Sequence, residues 1–246
     1  MESPALIALG LGFLLGLKHA TDADHVVAVS TIVSEYHSAW RGVWVGASWG
    51  LGHTTPLLIV GTAILLIKGS LIDVYDEYSH YLEFGVGIML VLLGLQVFWR
   101  LKGQNLHVHE HTHQETLHMH IHSHDRDVET VDKAVHPFLA LAGKPVFRVK
   151  SYVIGVVHGL AGSAAVMLAV LATDAVPSFF AGMGYLLLFG VGTVLSMATL
   201  TILMGIPFSL SSQSRRINAA VAGLAATASI GFGFLLMYEL AIVEGL

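Results

Sequence analysis

The chain has 246 residues, 54% of them hydrophobic and 12% charged, with a mean hydropathy of +0.71 and a formal net charge of −5. Those values exclude a water-soluble globule and a nucleic-acid-binding protein and place the chain among integral membrane proteins. The absence of cysteine excludes disulfides and thiolate ligands, so any metal must be held by nitrogen and oxygen, a donor set that suits Ni(II), Co(II) or Zn(II).

Crossing a bilayer takes about 20 apolar residues, and runs of that kind cover residues 4–33, 39–67, 81–99, 151–173, 179–206 and 217–243. They predict an all-α polytopic membrane protein with six transmembrane helices. The Met-Glu-Ser-Pro start has no basic region or small-residue cleavage pattern, so the first segment is expected to stay in the mature protein. A polar cluster interrupts the first helix, and Gly50, Gly52, His53 and Pro56 interrupt the second. Both are therefore expected to be kinked or broken, because Pro removes a backbone donor and Gly weakens a helix.

The cluster in the first helix is the strongest functional signal. Lys18, His19, Asp22, Asp24 and His25 lie inside a run that is otherwise apolar over residues 5–33. Ionisable groups at membrane depth are costly unless paired, hydrated or ligated, and mark functional sites. On an uninterrupted helix His19, Asp22 and His25 would share one broad face, with Asp24 pointing elsewhere. Two imidazoles and a carboxylate converging on one cavity describe a divalent-metal site. In the second helix His53 lies deep in an apolar run beside two glycines, which permit close helix approach. Trp40, Trp44, Trp49 and Trp99 read mostly as interface anchors. Ser163, Thr193, Ser196 and Thr199 could line a hydrated path but read more as packing or helix-to-helix contacts than as ligands.

Twelve Lys and Arg residues are present, and all but Lys18 and Lys68 fall in the loops after the first, third and fifth helices. The positive-inside rule makes those loops cytoplasmic and puts both termini outside. The chain then divides into a first three-helix half over residues 1–100, a cytoplasmic loop over 101–150, and a second three-helix half over 151–246. The loop carries His107, His109, His111, His113, His118, His120, His122 and His124, an accessory metal-binding run by composition.

A weak internal repeat links the halves. Gly16-Leu-Lys-His19 is matched by Gly155-Val-Val-His158, and Gly50-Leu-Gly52 by Gly190-Val-Gly192, at nearly equal separations. Two three-helix repeats must enter the membrane from opposite faces, the inverted-repeat plan of many secondary transporters. No phosphate-cradling loop, nucleophile elbow or zincin signature is present, so the chain is not expected to be an enzyme.

His19-Ala-Thr-Asp22-Ala-Asp24-His25, a His-x4-Asp-His pattern, resembles the signature of the nickel/cobalt transporter family, and Gly52-His53-Thr54-Thr55 resembles its second motif. The resemblance implies metal recognition by His19, Asp22, Asp24 and His25, and by His53. The second half, His158-Gly-Leu-Ala-Gly-Ser163-Ala-Ala165, is similar to the family's short, UreH-like branch; His158 and Ser163 are candidate second-half contacts by their own chemistry. It lacks the acidic, Thr-containing motif of longer members, which also have an additional leading helix and Arg where Lys18 stands. The implied function is secondary transport of Ni(II) or Co(II), with Zn(II) a further candidate cargo and no resident cofactor. Uptake is the first choice. The alternatives are efflux, which the His-rich loop also resembles, and a membrane metal-binding accessory protein supplying nickel to urease or hydrogenase. The expected partners are the ions, the lipid bilayer and cytoplasmic nickel chaperones.

Overall fold

A computed structural model describes residues 3–34, 39–67, 70–103, 107–113, 116–122, 140–141, 144–145, 147–160, 171, 176, 178–211, 213–243 and 245. Its helices are α1 (Ser3–His19), α2 (Ala23–Val33), α3 (Ala39–Ile67), α4 (Ser70–Gly103), α5 (Val149–Gly159), α6 (Phe179–Ser211) and α7 (Arg215–Tyr238), the last running into a π-helical turn at Glu239–Val243. Between α4 and α5 lie two short antiparallel ladders. Strand β1 (His107–His113) pairs with β2 (Thr116–His122), and β3 (Ala140–Leu141) with β4 (Lys144–Pro145).

Among the described residues four helices are long and apolar enough to cross a membrane, with spans at Gly42–Ile67, Glu77–Lys102, Phe179–Ser211 and Arg215–Val243. Leu6–His19 and Ala23–Val33 make a fifth if the pair, bent by 55°, counts as one span. The predicted fourth span is described only through α5, because most of its continuation lies outside the described residues. Exposed side chains such as Leu14, Ile59, Leu92, Leu203 and Leu224 cover the outer surface, as expected where lipid rather than water is the solvent.

The break expected in the first span is present at Ala20–Asp22, while α3 runs unbroken through Gly50, Gly52, His53 and Pro56. Thr54 Oγ1 donates to the Gly50 carbonyl and Thr55 Oγ1 to the Leu51 carbonyl, each at 2.8 Å. These are second bonds to carbonyls one turn before Pro56; the carbonyl that loses its helical donor to Pro56 is that of Gly52, and the helix continues past it.

Glycine sets how the helices meet. In the contact of α1 with α6, a side chain at Gly16 would overlap the Phe189 carbonyl, and one at Gly192 the Phe13 carbonyl. In that of α3 with α5, Gly155 lies on the Trp49 carbonyl and Gly52 on the Tyr152 carbonyl. Helices α3 and α6 cross where Gly50 meets Val194 and Gly190 meets Thr54. Helices α4 and α7 cross where Gly87 meets Gly233 and Gly94 meets Ala226. Between hydrocarbon-solvated helices there is little hydrophobic drive, so this backbone proximity and its dispersion contacts hold the bundle. Hydrogen bonds reinforce it. Ser229 Oγ donates to the Leu90 carbonyl at 2.8 Å. Thr193 Oγ1 reaches the Gly16 carbonyl at 3.4 Å and Ser196 Oγ the Leu17 carbonyl at 3.0 Å, the helix contacts the sequence predicts for them.

Candidate metal centre

The site is built on the break between α1 and α2. Thr21 N donates to the Lys18 carbonyl at 2.9 Å and Asp22 N to the His19 carbonyl at 3.1 Å, a tight turn that ends α1. Thr21 Oγ1 adds a second donor to the Lys18 carbonyl at 2.6 Å. Asp22 is extended (φ −63°, ψ 151°) and α2 starts after it. His19 therefore stands at the C-terminal, partially negative end of one helix, a setting that favours a cation, while Asp24 and His25 open the next.

That break reassigns the face expected from an unbroken helix. His19 and His25 do converge, but Asp22 and Asp24 exchange places. Asp24 joins His25 and His158 in one group of candidate metal ligands, while His19, His25 and His53 form another, the ligand atoms within each lying within 4.8 Å of one another. Asp22 belongs to neither. Its Oδ1 accepts from Lys18 Nζ at 2.6 Å and its Oδ2 lies 3.2 Å from His19 Nδ1.

The rings are held in a pattern suited to ligation. His19 directs Nδ1 at Asp22, and His25 directs Nδ1 at Asp24 Oδ1, 3.0 Å away. A carboxylate on one imidazole nitrogen fixes the tautomer and leaves the other nitrogen's lone pair for a metal. His19 Nε2 lies 2.9 Å from His53 Nε2, and two nitrogens bound at right angles about 2.1 Å from an ion would lie about 3.0 Å apart. His158 Nε2 donates to Asp24 Oδ2 at 2.8 Å.

Burial is nearly complete. His25, His53 and His158 are 0–1% exposed and His19 6%. His25 Nε2, His53 Nδ1 and His158 Nδ1 are buried without a hydrogen-bond partner, a costly arrangement that an ion would relieve at Nε2 of His25. The cluster is closed by aromatic walls. His25 stacks on His158 at 4.1 Å, Trp49 lies 5.7 Å from His158, and Phe189 lies 5.6 Å from His19.

His158 is a full member of the cluster, on equal terms with the first-half histidines, and the repeated Gly-x-x-His pattern is the signal that finds it. Trp49 is not an interface anchor. It is 0% exposed beside the site, whereas Trp99 is 81% exposed. Ser163 and His124 lie outside the described residues. Histidines 107 to 122 of the loop stand on β1 and β2, with His107 opposite His122, His109 opposite His120 and His111 opposite His118.

Known proteins place this geometry in context. The family model described as a high-affinity nickel-transport protein matches residues 5–239. The chain is 43% identical, over 98% of its own length and 95% of the relative's, to a urease accessory protein, UreH, of Bacillus sp. (strain TB-90). It is 29% identical over 94% of its length to the chloroplast protein FOR GROWTH AND FERTILITY 1 of Arabidopsis thaliana, spanning 59% of that longer protein. A segment covering 26% of the chain is 38% identical to 17% of the nickel transporter NicT of Mycobacterium tuberculosis (strain ATCC 25618 / H37Rv). No solved structure matches the chain. With the family model covering nearly its whole length, the chain belongs to the high-affinity nickel-transport protein family (NicO).

Proposed function

We propose that the protein is a secondary transporter of Ni(II), with Co(II) and Zn(II) as candidate alternative cargo, in the cytoplasmic membrane, and that uptake is its direction. The observation that carries this reading is the convergence of four buried imidazoles and one carboxylate where a spanning helix breaks. Neutral nitrogen donors with one anion suit a borderline divalent ion, which must exchange hydration water for ligands to cross. The relative named as a urease accessory protein favours nickel as the cargo and urease assembly as its destination.

The same reading includes six spans arranged as two inverted three-helix repeats, with α5 beginning the fourth span. Support comes from the helix contacts, which recur in exchanged pairs. The offset that carries Gly16 to Gly155 also carries Phe13 to Tyr152, and a nearly identical one carries Trp49 to Phe189 and Gly52 to Gly192. The contact of Gly16 with Phe189 thus has its counterpart in Gly155 with Trp49, and Gly192 with Phe13 in Gly52 with Tyr152. Gly50 with Val194 corresponds to Gly190 with Thr54, and Gly87 with Gly233 to Ala226 with Gly94. A pseudo-two-fold axis in the membrane plane produces this exchange, and sites at such an axis lie near midplane. With the basic loops cytoplasmic, the termini are outside and the β1–β2 ladder is a cytoplasmic metal buffer, supported by its three opposed His pairs.

The test is flux of Ni(II), Co(II) and Zn(II) in sealed proteoliposomes with imposed ion gradients and protein orientation resolved. Inward Ni(II) flux is expected. Outward flux alone would establish efflux, and tight binding without flux would establish an accessory role.

A further inference from the structure

The two groups of candidate ligands share one residue. His25 belongs both to the set with His19 and His53 and to the set with Asp24 and His158. Its ring lies edge-on to His19 at 4.7 Å and stacked on His158 at 4.1 Å. Nδ1 is engaged by Asp24 and Nε2 has no partner. A neutral imidazole carries one N–H and one lone pair, so it offers an ion only one nitrogen at a time. The sets are therefore alternatives around a common ring.

Their placement gives the alternatives a direction. His19 and His158 are the matched residues of the two Gly-x-x-His segments, and each stands in the last turn of its helix, α1 and α5 respectively. An axis in the membrane plane exchanges the two membrane faces. Residues it relates, one in each set, therefore lie toward opposite faces, with His25 between them. The sets differ in charge as well, since one is all imidazole and the other includes Asp24.

Resting on the nickel-transport reading, we propose that His25 is a pivot ligand: one ion per chain passes between the His19–His25–His53 set and the Asp24–His25–His158 set, each set serving one face of the membrane. His158 is then not an ornament of the first-half site but the ligand that completes passage, and its loss separates holding the ion from moving it.

The experiment uses full-length protein and measures Ni(II) bound per chain in detergent together with Ni(II) flux in proteoliposomes, for the wild type, His25→Ala, His158→Ala and His19→Ala. The His-rich loop is common to all four, so differences report the buried cluster. His25→Ala is expected to bind one ion fewer than the wild type and to carry no flux. His158→Ala and His19→Ala are each expected to keep that ion and lose flux, and the retained ion shows that the variants are folded. A loss of two ions in His25→Ala would mean that both sets fill together and would overturn the pivot. Loss of the ion in a His158→Ala protein that elutes as the wild type does would mean one undivided site and would also overturn it. So would wild-type flux in His158→Ala. Absence of both flux and a His25-dependent ion in the wild type would instead refute the nickel-transport reading beneath it.

Discussion

Replacing Gly159 by Ala tests whether backbone contact between α3 and α5 holds the site together. A Cβ there would meet the carbonyl of His53, with the His53 carbonyl carbon at 2.8 Å and Cα at 2.9 Å. Carbon atoms rest about 3.5–4.0 Å apart, so the helices must separate by at least about 0.7–1.2 Å. Helix α5 carries His158 and α3 carries His53, so the retreat moves two candidate ligands together. Forced overpacking costs about 1–3 kcal/mol, and ligand distances tolerate only about 0.2 Å. Gly159→Ala should therefore lower stability in detergent by that amount, read by thermal or denaturant unfolding, and lower Ni(II) flux by about 10–100-fold, the usual cost of disturbing the support of a metal site. The matched control is Gly231→Ala, where the new Cβ meets nothing within 4 Å and helix propensity favours Ala by up to about 1 kcal/mol. If the two variants unfold alike and transport alike, glycine contact is not what positions the site.

Asp24→Asn leaves a carbonyl in place but removes the one charge in contact with both His25 and His158, and Ni(II) affinity by calorimetry should fall by about 10–100-fold. Lys18→Gln removes an ion pair whose Lys side chain is 71% exposed, so unfolding should change by less than about 1 kcal/mol; a larger loss would show that the pair holds the helix break. Ser229→Ala removes the bond to the Leu90 carbonyl that joins α4 and α7 and should cost about 0.6–1.7 kcal/mol in a membrane-protein unfolding assay. Deleting residues 107–124 should reduce the Ni(II) bound per chain while vectorial flux persists; abolished flux would make the loop part of the conduction route.

Much of this arrangement is legible in the amino-acid sequence, and the exceptions have physical causes. Hydropathy finds the four long apolar helices and the bent pair α1–α2 because a bilayer imposes length, and the ionisable cluster stands out because hydrocarbon penalises each member. Which carboxylate joins the histidine cluster is not legible, since periodicity assumes a continuous helix and the turn at Ala20–Asp22 shifts the phase between His19 and His25. A kink or break was equally expected in α3, but the helix runs on through Pro56, because packing against neighbouring helices outweighs the one helical bond that proline removes. Trp49 reads as an anchor by residue type alone; only the packing of α3 on α5 reveals it beside His158. The Gly-x-x-His repeat did point to His158, but its contact with Asp24 joins residues far apart in sequence and needs the fold.

The central claim, that the buried histidine cluster is the conduction site, is tested most directly by the initial rate of Ni(II) entry into proteoliposomes containing wild-type or His25→Ala protein at equal density and matched orientation. His25 is in both ligand sets, so the account predicts that the variant falls to the rate of protein-free vesicles, whereas a folded His25→Ala protein transporting at the wild-type rate would contradict it.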